Sequence, residues 1–244
     1  MRKILYALRF LTILPIGWKQ DEDMTEVARS MIFFPFVGLV IGGLLTGVVH
    51  NLFQHFSLLA ISTITIFLWV AFTGGLHLDG LSDLFDSFGG RTKEDRLRIM
   101  TDSNIGAFGA ISLIGIIILK IVFLQELIIN WDSGIIFPIL LAPAWGRLME
   151  ILAIRFFNSA KPNGMGVFFK SNIREREWII PFILITILTI YLLSIKSIIT
   201  IIILLLIMFL FAKKVSNKLD GLTGDCYGAI CEITELLFLI LCAL

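Results

Sequence analysis

Charge is what this sequence has least of. Only 16% of its 244 residues are Asp, Glu, Lys or Arg, where a soluble domain carries about a quarter. Together with 57% hydrophobic residues and a mean hydropathy of +0.94, that scarcity excludes an ordinary soluble domain. It points to a chain that crosses a membrane several times. An excess of one sign is missing too. The net charge is +1, so no global field draws in nucleic acid. Cysteine is sparse, and Cys226, Cys231 and Cys242 match neither a zinc site nor a disulfide framework. They are expected to be reduced and incidental. The start, "MRKILYALRFLTILPIG", looks like a secretory leader. Arg9 interrupts its apolar region and no small-residue cleavage site follows, so it is read as mature sequence. No GxxxxGK[ST] loop is present, which removes support for nucleotide binding of that kind. Repeats, linkers and low-complexity segments are missing as well, and residues 1–244 read as one membrane domain.

Long apolar runs, by contrast, are plentiful. A bilayer core takes about 20 apolar residues per helix. Seven runs approach that length, at 31–53, 57–76, 105–129, 134–154, 178–195, 197–212 and 229–244. They are continuously apolar and do not alternate, so the expected fold is an all-α polytopic bundle of about seven transmembrane helices, not a barrel. The sixth run is the shortest and is expected to tilt little or to be re-entrant. Residues 1–17 are too short and too charged to span, and are expected to lie in the interface as an amphipathic helix. Seventeen of the 20 basic residues fall in 1–30, 77–104, 155–177 and 213–228. The positive-inside rule then places the N-terminus and every long loop in the cytoplasm, in the cytoplasmic (inner) membrane.

The few charges that exist are clustered. In "TGGLHLDGLSDLFDS", residues 73–87, Asp79, Asp83 and Asp86 stand four and three apart. On a helix they share one face, where like charges repel. Carboxylates so spaced suit a hard cation such as Mg²⁺; a solvated acidic helix end is the other reading. Gly80 lets another backbone or a ligand come close. His77 is either structural or a site residue. In "RTKEDRLRIMTDSNIGAFGA", Arg91, Arg96 and Arg98 offer bidentate grips for a diphosphate, or simply set topology. Asp102, with Ser103, either caps the next helix or turns inward as a metal ligand. In "LDGLTGDCYGAICEITE", Asp225 and Glu232 share a face, with Glu235 three further on. Glu232 and Glu235 lie inside an apolar run, where ionisable residues are costly and suggest function. The alternative is a buried carboxyl paired with Arg147, itself within a span. "KPNGMGVFFK", 161–170, reads as a mobile loop over a site or a plain connector.

Acidic groups from separate loops therefore gather on one face with arginines nearby. A transporter would place such groups at the bilayer midplane. A metal–phosphate enzyme, in which cations neutralise spreading negative charge, fits better.

Five stretches carry a family resemblance: "FLTILPI" (10–16), "FFPFVGLVIG" (33–42), "TGGLHLDGLSDLFDSFGG" (73–90), "RIMTDSNIGAFG" (98–109) and "GLTGDCYGA" (221–229). In this order they resemble the cobalamin synthase family, the adenosylcobinamide-GDP ribazoletransferases, over nearly the whole chain. The resemblance implies a Mg²⁺-dependent integral membrane enzyme that joins adenosylcobinamide-GDP to α-ribazole, or its 5′-phosphate, and releases GMP in the last steps of cobalamin assembly. It implies roles for Asp79, Asp83, Asp86, Asp102 and Asp225, with Asp79, Asp83, Asp86 and Asp225 holding metal. Asp86 is the candidate base, and Arg91, Arg96 or Arg147 would stabilise the leaving charge. Ser82, Leu84, Phe85 and Ser87 replace the small residues usual in the family's "DGLADTADG"-like block. A CDP-alcohol phosphotransferase is the neighbouring reading, but "DGLSDLFD" lacks that pattern's arginine. A cation or metabolite carrier is a more distant one. The oligomeric state is left open.

Overall fold

A computed structural model describes residues 2–14, 24–130 and 137–244. The end of the expected interfacial segment, 15–17, and the start of the fourth expected span, 134–136, lie outside the described residues. All regular structure among the described residues is helical: α1 (Arg2–Leu11), α2 (Met24–Arg29), α3 (Phe34–Leu52), α4 (Leu58–Thr73), α5 (Leu76–Ser87), α6 (Lys93–Ile99), α7 (Ala107–Ile129), α8 (Phe137–Phe156), α9 (Met165–Asn172), α10 (Glu175–Leu193), α11 (Ser197–Leu219) and α12 (Gly224–Ala243). A 3₁₀ turn, Ser30–Phe33, joins α2 to α3. Among the described residues six helices are long and apolar enough to cross a membrane, and α4 followed by α5 makes a seventh, bent pair. The fold is the expected all-α polytopic bundle.

α8 and α12 form its axis and are buried along most of their length. α7, α10 and α11 surround them and turn outward rows such as Ile111, Ile114 and Ile118, or Ile199, Ile202 and Leu206. That inside-out pattern is what a lipid environment requires, because the backbone is satisfied within each helix and the outer side chains are apolar. Lipid tails are as apolar as leucine, so close packing, not the hydrophobic effect, must hold the helices together. α3 meets α8 through Gly38 and Gly42. A Cβ on Gly42 would lie 2.2 Å from the Leu140 carbonyl oxygen, and one on Gly38 would lie 2.5 Å from the Ala144 Cα. Any side chain there would separate the pair.

Three boundaries differ from the sequence expectation. The second run does not continue straight to residue 76. Gly74 and Gly75, both left-handed (φ 62° and 71°), end α4, and α5 leaves at 92° to it. Left-handed backbone strains residues with a Cβ and costs glycine little, so the "GG" pair makes the corner. The sixth span is not short: α11 runs 23 residues to Leu219, its last turns carrying lysines that a hydropathy window reads as loop. The seventh expected span, α12, begins at Gly224, capped by the Thr223 hydroxyl, which accepts from the Cys226 N–H. Asp225 therefore lies in its first turn.

Candidate active site

α5 crosses α12 at two glycines. A Cβ on Gly80 would lie 2.7 Å from the carbonyl oxygen of Asp225, and one on Gly228 would lie 3.2 Å from the Cα of His77. The Gly after Asp79 thus admits another backbone, which belongs to Asp225. This crossing draws together carboxylates 146 positions apart in sequence, Asp79 and Asp225, which line one cavity. Burial, followed by the neighbouring charges of Asp79, Asp225 and Asp86, pushes the Asp83 carboxyl up to about 6. Four of the five expected aspartates therefore act on one another.

Their roles differ. Asp86 reaches across to the N-terminus of α7, where its Oδ2 accepts from the Gly106 N–H and its Oδ1 from the Gly109 N–H, both at 2.8 Å. It occupies two orphan donors of that helix and complements its dipole. Asp102 was expected either to cap this helix or to turn inward. It does neither. α7 starts at Ala107, too far along the chain, and Asp102 accepts from the Asn104 backbone N–H at 3.0 Å and side-chain amide at 2.7 Å. It is fully exposed, and those two bonds hold its carboxyl below the usual carboxylate range.

The arginines divide likewise. Arg91 is exposed on the loop before α6. Arg98 lies 3.7 Å from Asp95, and Arg96 donates to the Lys218 carbonyl at 3.3 Å. Lys93 pairs with Asp220 at 3.1 Å, so the loop after α5 is tied to the α11–α12 corner. The 157–164 loop joins the same corner: the Leu222 N–H donates to the Asn158 carbonyl and the Ala160 N–H to the Leu222 carbonyl. All three loops thus lie at one end of the bundle.

Arg147 is elsewhere. Wholly buried in α8, it pairs with Glu235, and its Nη2 lies 3.4 Å from His77 Nδ1. Lys120 of α7 reaches both Glu232 and Glu235 at 2.6 Å and sits 4.5 Å from the centre of the Trp69 ring. His77 Nε2 faces Glu150 Oε2 at 3.6 Å. This chain of polar side chains, Glu232–Lys120–Glu235–Arg147–His77–Glu150, links α5, α7, α8 and α12. Glu235 is thereby paired with Arg147, the alternative the sequence left open, whereas Glu232 pairs with Lys120. Sequence reasoning gave no role to Lys120, Glu150 or Tyr227. The signal for Glu150 was present, since Arg147 and Glu150 stand three apart in an apolar helix.

Two cavities flank α5. One, of about 130 Å³, is lined by Phe10, His77, Asp79, Glu150, Phe169, Asp225 and Tyr227 among others. Gly166 and Phe169 of α9 line it, so the second half of "KPNGMGVFFK" is a helix bordering this cavity and not a loop. The other, of about 510 Å³, is lined by Gly74, Gly75, Leu78, Asp79, Ser82, Ile105 and Leu113 among others. Asp79 lines both.

The donor set suits a hard cation: oxygen only, acidic, and mutually repelling. Among the described residues no three of the aspartates bring oxygens within 4.8 Å of one another; the trio that does is His77, Glu150 and Cys231, beside Arg147. Mg²⁺ commonly takes one or two carboxylates and completes its shell with water and substrate phosphate, so the aspartates fit such an ion.

A family model described as cobalamin-5-phosphate synthase matches residues 3–243. The adenosylcobinamide-GDP ribazoletransferase of Desulfitobacterium hafniense is 36% identical over 98% of this chain and 96% of its own length. Its namesake in Herpetosiphon aurantiacus is 38% identical over 98% and 95%, and that of a Roseiflexus species 34% over 96% and 86%. No solved structure matches. The resemblance read from the five motifs holds across the chain, and the CDP-alcohol phosphotransferase and carrier readings give way to it. The chain belongs to the cobalamin-5-phosphate synthase family.

Proposed function

We propose that this chain is a Mg²⁺-dependent transferase that joins adenosylcobinamide-GDP to α-ribazole, or α-ribazole 5′-phosphate, and releases GMP. The observation that carries this reading is the position of Asp79 between two cavities. A two-substrate transfer needs two sites that share one reacting centre, and proximity there lowers the barrier. The relatives' name supplies the corrinoid substrate; the acidic centre supplies the chemistry.

In this reading Asp79 and Asp225 hold Mg²⁺, with Asp83 and Asp86 adding negative charge beside them. When bound, the ion neutralises the diphosphate and the departing phosphate. The ribazole hydroxyl oxygen forms a bond to the phosphorus that carries cobinamide, and the bond from that phosphorus to the GMP oxygen breaks. The Asp83 carboxylate takes the hydroxyl proton, because a base near 6 is matched to that task at neutral pH. Asp86 was the base expected from the motif. Both of its oxygens already accept backbone N–H groups, so it braces α5 against α7 instead. Arg91 and Arg96, on the loop beside the site, are the cations available to the leaving charge. Arg147 is held by Glu235 and serves the scaffold.

The proposed setting is the cytoplasmic membrane with the N-terminus and the site inside. It is supported by the loops that carry most of the basic residues, which lie at the aspartate end. Membranes containing the chain, given adenosylcobinamide-GDP and α-ribazole, should release GMP with Mg²⁺ and not with EDTA. No GMP under either condition would overturn the assignment.

A further inference from the structure

The transfer reaction needs a place for the nucleoside's base, and the smaller cavity has the properties of one. Resting on the transferase reading above, we propose that this cavity is the subsite for the benzimidazole base of ribazole, with the His77 Nε2–H as its hydrogen-bond donor.

Size comes first. At about 130 Å³ the cavity is ring-sized; an apolar cavity of about 150 Å³ takes up benzene. Whole nucleotides need several times more. The walls come next. Phe10, Phe169, Leu76 and Ile154 supply apolar faces. Phe10 and Phe169 meet edge to face at 5.9 Å, and Phe10 stacks on Phe34 at 5.7 Å. Such walls suit a flat, methylated bicycle.

The polar atoms narrow the choice further. His77 Nε2, Glu150 Oε2 and Tyr227 Oη belong to residues lining the cavity and are buried; the first two lie 3.6 Å apart, beyond hydrogen-bond reach, and none of the three has a hydrogen-bond partner. A guanidinium only donates. With Arg147 Nη2 against His77 Nδ1, Nδ1 is the acceptor and Nε2 carries the hydrogen. A benzimidazole nucleoside has one free ring nitrogen, an acceptor, and that nitrogen matches the His77 donor. A base seated here would hold its ribose toward Asp79 and Asp225, which line the same cavity. The wall is tight at Gly166, where a Cβ would lie 3.0 Å from Tyr227 Oη.

The test separates the two substrates. Steady-state KM values for α-ribazole and for adenosylcobinamide-GDP would be measured with the full chain in membranes, as wild type, Gly166→Val and His77→Phe. Gly166→Val crowds the cavity and should raise the ribazole KM about tenfold or more, leaving that of the corrinoid within about twofold. His77→Phe keeps a ring without the Nε2–H and should raise the ribazole KM about two- to tenfold, as one lost hydrogen bond predicts. In the wild type, 5,6-dimethylbenzimidazole should compete with ribazole and not with adenosylcobinamide-GDP. Equilibrium dialysis of labelled ribazole with the wild type needs no turnover, and the free base should displace the label. Competition against the corrinoid substrate, or failure of the base to displace bound ribazole, would overturn the subsite. Absence of GMP release from the wild type would instead count against the transferase reading, and the dialysis would still decide the cavity.

Discussion

Gly80 and Asp225 are in backbone contact, so closely that a single Cβ on Gly80 would approach the Asp225 carbonyl oxygen to 2.7 Å. That contact sets the distance between the carboxylates of α5 and the carboxylate of α12. Gly80→Ala must therefore push the two helices apart. The bundle should survive, since overpacking costs about 1–3 kcal/mol, and a displacement near 1 Å costs about 10²-fold in rate. The expected result is normal abundance in membranes with about a hundredfold less GMP release. Full activity would show that the α5–α12 crossing does not assemble the site.

The four interacting aspartates and the solitary Asp102 predict opposite outcomes. Asp79→Asn and Asp225→Asn remove proposed metal ligands and should lower transfer by about 10²–10³-fold, the usual loss when one preorganised electrostatic group is removed. Asp102→Asn should stay within about threefold, because the exposed Asp102 carboxylate bonds only within its own turn. Isothermal titration with Mg²⁺ should show the same division. Equal losses at Asp102 and Asp79 would mean that the loop before α7 moves inward during catalysis.

The buried charges make a stability prediction. Lys120 balances Glu232 and Glu235 at 2.6 Å each. Lys120→Met would leave Glu232 uncompensated in an apolar bundle, while Glu235 keeps Arg147, at a cost of about 3–5 kcal/mol. The double variant Lys120→Met, Glu232→Gln should recover part of it, since removing both members of a buried pair is far milder than removing one. Thermal unfolding in one detergent compares all three. A single variant as stable as wild type would show that the pairs contribute nothing to the fold.

Much of this was legible in the amino-acid order, and the exceptions have physical causes. Apolar run length located the crossings, and basic loops put α6, α9 and the α11–α12 corner at one end. Hydropathy could not place the start of α12, because "GDCYGA" is polar enough to read as loop while Thr223 caps a helix there. The 92° corner at Gly74 and Gly75 was hidden for a related reason: two small residues barely lower an apolar average, yet they allow left-handed backbone. The aspartate block and "GD" were readable as a site. Their division of labour was not, since Asp86 finds its partners 20 and 23 residues away and no local pattern encodes such a cap. Glu235 and Arg147 were each visible as costly buried charges; the partnership depends on how α8 and α12 pack.

Acid offers a test of the repulsion within the site. Asp83 is raised from 3.8 to about 6 in the fold, first by burial and then by Asp79, Asp225 and Asp86. A carboxyl raised in the folded state favours the fold most when protonated, and that contribution is lost as pH rises from about 4 through about 6. Without metal, the chain should therefore be relatively more stable at pH 5 than at pH 7. Mg²⁺ should restore stability at pH 7 and do little at pH 5, because the ion and the proton relieve the same repulsion. Asp83→Asn should flatten the pH dependence between 4 and 6. Melting temperatures in detergent with EDTA and with Mg²⁺, for wild type and Asp83→Asn, read this directly. Identical pH profiles for the two proteins would show that Asp83 does not carry the strain of the cluster.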